Sequence, residues 1–225
     1  MTGIPERPDI DTGAPHDPTY DPNCRRCSRL ALFLDQVKFE HPTYFCRPVP
    51  PFGDPRARLL IVGLAPGMHG ANATGRSFTG DWCGPMLYSA LYRAGFASQP
   101  TSVALDDGLR LIDCRISNAV KCLPPANKPE LAEIRRCNVY LQAEFMRAQP
   151  VELILALGLV AHRAALEARG LRVADWRFGH HAVHHLPDGL TLIDSYHVSR
   201  YNTQTGRLTD AMFDAVLQDI RQRLA

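Results

Sequence analysis

The residues of this chain best suited to chemistry begin with Cys24-Arg25-Arg26-Cys27, a CxxC pair where a helix should start. Two thiolates so close at a helix start can grip one metal centre, and nearby amides and arginines lower their pKa. The other cysteines are Cys46, Cys83, Cys114, Cys122 and Cys137. An odd count with no basic-then-apolar leader is not expected to build a disulfide framework or to be secreted. A zinc ribbon would supply a second CxxC, and the sequence has none. Cys122 instead follows an apolar strand, and Cys137 lies on a predicted helix. Such wide spacing suits a four-thiolate iron–sulfur cluster better than a zinc knuckle. Spacing alone leaves zinc and unligated core thiols open, and leaves Cys114 able to replace Cys122. Cys46, Cys83 and Cys114 are expected as buried thiols.

Two loops add further candidates. The first runs Gly63-Leu64-Ala65-Pro66-Gly67-Met68-His69-Gly70 and on to Gly75-Arg76-Ser77-Phe78-Thr79-Gly80-Asp81. Glycine at this density lets backbone amides approach a ligand. It matches neither G-x-G-x-x-G nor the phosphate loop, since no lysine follows, so it implies only a small planar or anionic ligand. The last loop, His197-Val198-Ser199-Arg200-Tyr201 to Arg207, joins a lone histidine to cationic, aromatic and amide groups. A lone histidine is often structural, but this one follows a core strand.

These loops need elements to hold them. The chain has 225 residues, 45% of them apolar, enough for one domain with a sizeable core and too many for disorder. Its longest apolar runs, within 59–64 and 153–157, are far too short to span a membrane. Net charge is only +2, carried by 22 arginines and three lysines (Lys38, Lys121, Lys128) against 23 acids. That skew reads either as nucleotide-composition bias or as phosphate contact through forked guanidinium groups. Residues 1–22 are expected as an extended arm and 41–55 as a proline-rich ordered loop. Strands are predicted over 58–63, 115–120 and 152–157, with a hairpin over 181–186 and 190–194. Helices are predicted over 24–38, 86–93, 129–148, 160–169 and 207–224. Strands alternating with helices predict an α/β domain whose parallel sheet is covered on both faces. Its site belongs at the strands' carboxyl ends, where loops after Val62, near Asn118 and after Ser195 should meet.

In combination the motifs resemble the uracil-DNA glycosylase superfamily, in particular the iron–sulfur-containing family 5 enzymes. The resemblance rests on Gly63-Leu-Ala-Pro-Gly67, Gly75-Arg-Ser-Phe-Thr-Gly-Asp81, Asn118-Ala-Val-Lys-Cys122, His197-Val-Ser-Arg and the cysteines, in that order of strand ends. It implies a three-layer α/β/α sandwich around a mainly parallel four-stranded sheet, in one domain over 1–225. It implies a structural [4Fe-4S] cluster on Cys24, Cys27, Cys122 and Cys137, and no catalytic metal. The implied activity is monofunctional hydrolysis of the N-glycosidic bond of uracil in DNA after base flipping, leaving an abasic site. A monomer working on nucleoid DNA in the cytoplasm, without membrane association, follows from the same likeness.

Roles follow residue by residue. Gly63, Leu64, Ala65, Pro66 and Gly67 would shape the base pocket. Phe78 would stack on the base, Asn118 would read its edge, and His197 would hydrogen-bond the departing uracil anion. Leu64 departs from the polar residue that relatives place there to orient water. That leaves Asp81 as the nearest carboxylate, with Asn118 in reserve, although Asp81 could equally cap a helix. Losing that polar filter could admit hypoxanthine and other damaged bases. Arg76, Arg200, Tyr201 and Arg207 are the DNA-contact candidates, with Arg200 or Tyr201 as the wedge; a solvated loop is the bland alternative for the last three. Two rivals remain: a metal-dependent hydrolase built on His180, His181, His184, His185 and Asp188, and a non-enzymatic nucleic-acid binder.

Overall fold

The computed structural model describes residues 17–147 and 151–225. Its elements in chain order are α1 (Ser28–Glu40), β1 (Phe52–Gly53), β2 (Leu59–Gly63), α2 (Ala71–Thr74), α3 (Cys83–Arg93) and β3 (Cys114–Asn118). There follow α4 (Leu131–Phe145), β4 (Leu153–Leu157), α5 (Leu159–Ala168), β5 (Val183–His185), β6 (Thr191–Ser195), α6 (Arg200–Gln204) and α7 (Asp210–Arg223).

The strands form one sheet in the order β1-β3-β2-β4-β6-β5. The four central strands run parallel, and short antiparallel strands flank them: β1 against β3, and β5 against β6. The three predicted strands and the hairpin's second arm are therefore the middle of a six-stranded sheet, and the hairpin's first arm, expected over 181–186, is the edge strand β5. The other edge strand, β1, has two residues and carries no periodicity of its own, so it lay hidden in the expected proline-rich loop.

Alternation along the parallel strands builds the layers. Successive side chains point to opposite faces, so Leu59, Ile61, Leu153, Leu155 and Ile193 join α3 and α7 in one core. Leu60, Val62, Ile154, Ala156 and Leu192 join α1, α4 and α5 in the other. Burial on both faces explains why these strands read as unbroken apolar runs.

Helix ends are set by local chemistry. Helix α1 starts at Ser28, because Cys27 keeps an extended backbone at its N-cap. Glu130 and Glu133 form a reciprocal capping box that opens α4. The helix expected over 207–224 begins only at Asp210, where Thr209 accepts from the Met212 N–H. The expected arm lies outside the described residues for 1–16. Residues 17–22 pack down: Thr19 is buried beneath Arg115, and the Tyr20 hydroxyl donates to the Pro48 carbonyl at 2.9 Å. Among the described residues no helix is long and apolar enough to cross a membrane.

Candidate active site

Parallel register brings the first two loops together, because Gly63 at the end of β2 pairs with Asn118 at the end of β3. The loop after β6 joins them. Together they enclose a cavity of about 690 Å³ whose wall includes Leu64, Ala65, Gly67, Phe78, Asp81, Asn118, His197 and Arg200. That volume suits a small planar ligand. Gly63 and Pro66 are absent from the wall, but Gly63 acts through proximity. A Cβ there would lie 2.4 Å from Asn118 Oδ1 and 2.8 Å from Phe78 Cζ, so only glycine lets both side chains converge.

Phe78 is held in an unusual way. Its φ is +55°, a conformation that costs a bulky residue about 1–3 kcal/mol and persists only where surroundings enforce it. The Tyr88 hydroxyl donates to the neighbouring Ser77 carbonyl at 2.6 Å, and Thr79 and Ser102 share a hydroxyl bond at 2.6 Å. The resulting ring lies 6.1 Å from the His197 ring, tilted by 35°.

Arg76 is the main enforcer, which corrects its expected role in DNA contact. It is 3% exposed, donating to Asp107 at 2.8 Å, Ser102 at 3.0 Å and the Leu105 carbonyl at 2.5 Å. Burial works against the Asp107 charge, yet Arg76 and three backbone N–H groups hold its carboxyl well below the usual range. A guanidinium so enclosed cannot reach a phosphate; it pins the Phe78 loop to the loop 102–107.

Asn118 is 4% exposed, and its amide donates to Ser77 Oγ at 3.1 Å. Ser77 is thus an orienting residue that sequence reasoning missed. Asp81 proves to have both of its expected placements. Oδ1 accepts from the Cys83 N–H at 2.9 Å where α3 begins, while Oδ2 lies against Gly67 and Gly70 in the cavity region. Burial raises its pKa in spite of those N–H bonds.

The His197 backbone is held by Asn202, which donates to its carbonyl at 2.8 Å. Gly158, ending β4, backs it so closely that a Cβ would meet the His197 Cβ at 3.3 Å. Desolvation lowers the His197 pKa from 6.5 to about 4, so at pH 7 the ring is a neutral imidazole. Between pH 6.5 and 4 the unfolded chain binds a proton that the folded one refuses, so stability falls as pH drops through that window. In ¹⁵N NMR the ring should titrate near 4, and His197→Ala should lessen the acid loss of stability. A ring titrating near 6.5 would remove the desolvated environment.

Arg200 lies at the cavity with its guanidinium 5.0 Å over the Trp82 ring, and Tyr201 is 68% exposed beside it. Arg207 stacks on Tyr196 at 4.5 Å. Trp82 and His69 also line the cavity. Their position inside the glycine-rich segment was the signal available for finding them.

Cys24, Cys27, Cys122 and Cys137 face a second, small cavity together with Lys121, Arg136 and Tyr140. Cys114 belongs to the opposite core, under α3 and α7, and cannot replace Cys122. Cys46 is buried as expected, whereas Cys83 is only partly buried and lines the first cavity, because α3 begins there. The four thiols are not drawn together as one zinc ion requires, with sulfurs about 3.8 Å apart from Zn–S of about 2.3 Å. Among the described residues the His/Cys/Asp/Glu group with ligand atoms within 4.8 Å of one another is His162, His184 and Asp194. Burial raises the Cys122 and Cys137 pKa values, Cys137 to about 11, so such thiols ionise only beside compensating cationic charge. The Lys121 N–H approaches Cys137 Sγ at 3.3 Å. Four cysteines lining one cavity are the donors that an iron–sulfur group would use.

Of the histidines expected in the hairpin strand, His184 and His185 lie in β5 and His181 does not. His181 has φ +59° in a turn and meets Asp219, and His180 stacks on Tyr196. His184 and His162, from β5 and α5, hydrogen-bond the two oxygens of buried Asp194 at 3.0 and 2.8 Å. Asp188 is taken by Arg169.

Comparison with known proteins bears on the same segments. The family model of the uracil DNA glycosylase superfamily matches residues 50–221, from just before β1 into α7. A Type-5 uracil-DNA glycosylase of Thermus thermophilus is 47% identical over 204 residues, covering 88% of this chain and 93% of its own length. Proteins of the same description are 43% identical over 207 residues in Mycobacterium tuberculosis, covering 88% and 77%, and 42% identical over 200 residues in Pyrobaculum aerophilum, covering 87% of each. From the match that spans the sheet and every loop of the cavity, the chain belongs to the uracil DNA glycosylase superfamily.

Proposed function

We propose that this chain is a single-domain, monomeric DNA-repair enzyme that hydrolyses the N-glycosidic bond of uracil in DNA and leaves an abasic site. The observation that carries this is the convergence of Phe78, Asn118 and His197 on one cavity. A base within a duplex is out of reach, so the nucleotide is extruded into the pocket. Phe78 supplies a stacking face worth about 1–3 kcal/mol. Asn118, with one amide hydrogen on Ser77, offers its remaining donor and its carbonyl oxygen to the pyrimidine edge. As the glycosidic bond breaks, electrons pass to the base and the sugar becomes oxocarbenium-like. The neutral His197 N–H donates to the uracil O2 as it gains charge, worth about 3–4 kcal/mol of barrier. Water held by Asp81 Oδ2 adds to the sugar and passes its proton to that carboxylate. Leu64, unable to filter by hydrogen bonding, admits hypoxanthine and other altered bases as secondary substrates. Arg200, Tyr201 and Arg207 face the DNA, with Tyr201 as the wedge; its exposure beside the cavity supports this.

Cys24, Cys27, Cys122 and Cys137 would hold a structural [4Fe-4S] cluster. When bound, it ties the start of α1 to α4 and to the loop after β3. Anaerobically purified protein is expected to be brown, absorbing near 400 nm; a colourless, zinc-rich preparation would remove the cluster. The work of the enzyme places it with cellular DNA in the cytoplasm.

The deciding experiment is a panel of oligonucleotides carrying uracil, hypoxanthine and other damaged bases, scored for free base and abasic site with and without EDTA. Uracil release unaffected by EDTA is expected; binding without release would overturn the proposal. Asp81→Asn keeps an acceptor for the Cys83 N–H but loses the charge. It should fold normally and slow excision about a hundredfold; near-normal excision would pass the water to Asn118.

A further inference from the structure

Behind the four cysteines lies a lysine that the proposed chemistry does not use. Lys121 is 2% exposed, and its ammonium meets the Ser117 hydroxyl. Among the described residues no carboxylate forms an ion pair with it. Glu144, the acid that acts most on it, already serves Arg115 at 2.9 Å and Arg147 at 3.2 Å, and Asp17 stands 3.6 Å from Arg115. Arg115 and Arg147 thus already occupy the carboxylate on this side, and burial pushes the Lys121 pKa down. Burying an ammonium with only a neutral partner is costly unless an anion lies close by.

The anions it can serve are on its other side. Lys121 lines the cysteine cavity itself, and its own backbone N–H is aimed at Cys137 Sγ. Arg136, lining the same cavity, approaches Cys27. Four thiolates around a cubane core of two positive charges sum to two negative charges, and net charge in the surroundings is one of the levers on cluster potential. We infer that the buried Lys121 ammonium is the counter-charge of the cysteine-ligated cluster, raising its reduction potential and slowing its loss of iron, an inference that rests on the cluster reading above.

The test uses whole protein purified anaerobically, with readouts independent of base excision. The one-electron midpoint potential is measured by dye-mediated titration, and iron release by a ferrous chelator is followed in time. Lys121→Met removes the charge at similar volume. A midpoint moved to more negative values, or iron released severalfold faster, with Lys121→Arg behaving as wild type, is the expected result. Unchanged potential and unchanged release in a brown Lys121→Met protein would overturn the inference. Wild-type protein without iron would overturn the cluster reading instead. Should Lys121→Met not fold, Lys121→Gln, which keeps a hydrogen bond to Ser117, gives the same readouts. Failure of both neutral variants to fold would make Lys121 a purely structural residue and sink the inference.

Discussion

Replacing His197 by alanine is expected to slow uracil release about 10²–10³-fold while uracil-containing DNA is still bound. The imidazole is the cavity's donor on the strand-β6 side, beside the aromatic face of Phe78 at 6.1 Å. It is neutral at working pH because desolvation lowers its pKa to about 4, so its N–H can answer charge appearing on the base without adding a standing positive charge. That interaction is made chiefly as the bond breaks, so its loss belongs in the chemical step. Single-turnover excision and a binding titration separate the two terms. Near-normal turnover would reject the assigned role. Folding should survive, since the loop is held through the Asn202 contact to the His197 carbonyl rather than through the ring.

Gly63→Ala should be nearly as damaging, although Gly63 never touches substrate. Its added methyl would stand 2.4 Å from Asn118 Oδ1 and 2.8 Å from Phe78 Cζ. Both must move, and misplacement by about 1 Å can cost about 10²-fold. The backbone at Gly63 needs no left-handed conformation, so the variant should fold and melt close to wild type while excision falls about a hundredfold. Adding Asn118→Ala should cost less in the Gly63→Ala background than in wild type, because the first change has already displaced the amide. Full activity in Gly63→Ala would mean that the close approach of the two side chains is irrelevant to the reaction.

The candidate site was unevenly legible. Phe78, Asn118 and His197 could be named because the motifs that hold them resemble those of a known family, and strand ends on one side of such a sheet predicted only that their loops would meet. Asp81 was ambiguous in sequence because helix capping and cavity lining want the same residue type, and it performs both with different oxygens. Arg76 was misread as a DNA contact. A motif arginine looks the same whether it meets phosphate or Asp107, and the two residues are 31 positions apart. The histidines misled for a similar reason: strand alternation does not extend to His181, and the acid that gathers His162 and His184 comes from a different strand.

Consecutive residues carried the parallel core and its converging loops, because strand periodicity and glycine density are local properties, whereas the grouping of the four cysteines came from the family likeness, since spacing alone left Cys114 open. Packing across the fold was needed to find β1, the anchoring of the Phe78 loop by Arg76, the separation of Cys114 from Cys122 and the burial of Lys121. Each of those depends on which distant segment packs against which. Burial and electrostatic partnership arise only when the chain closes on itself.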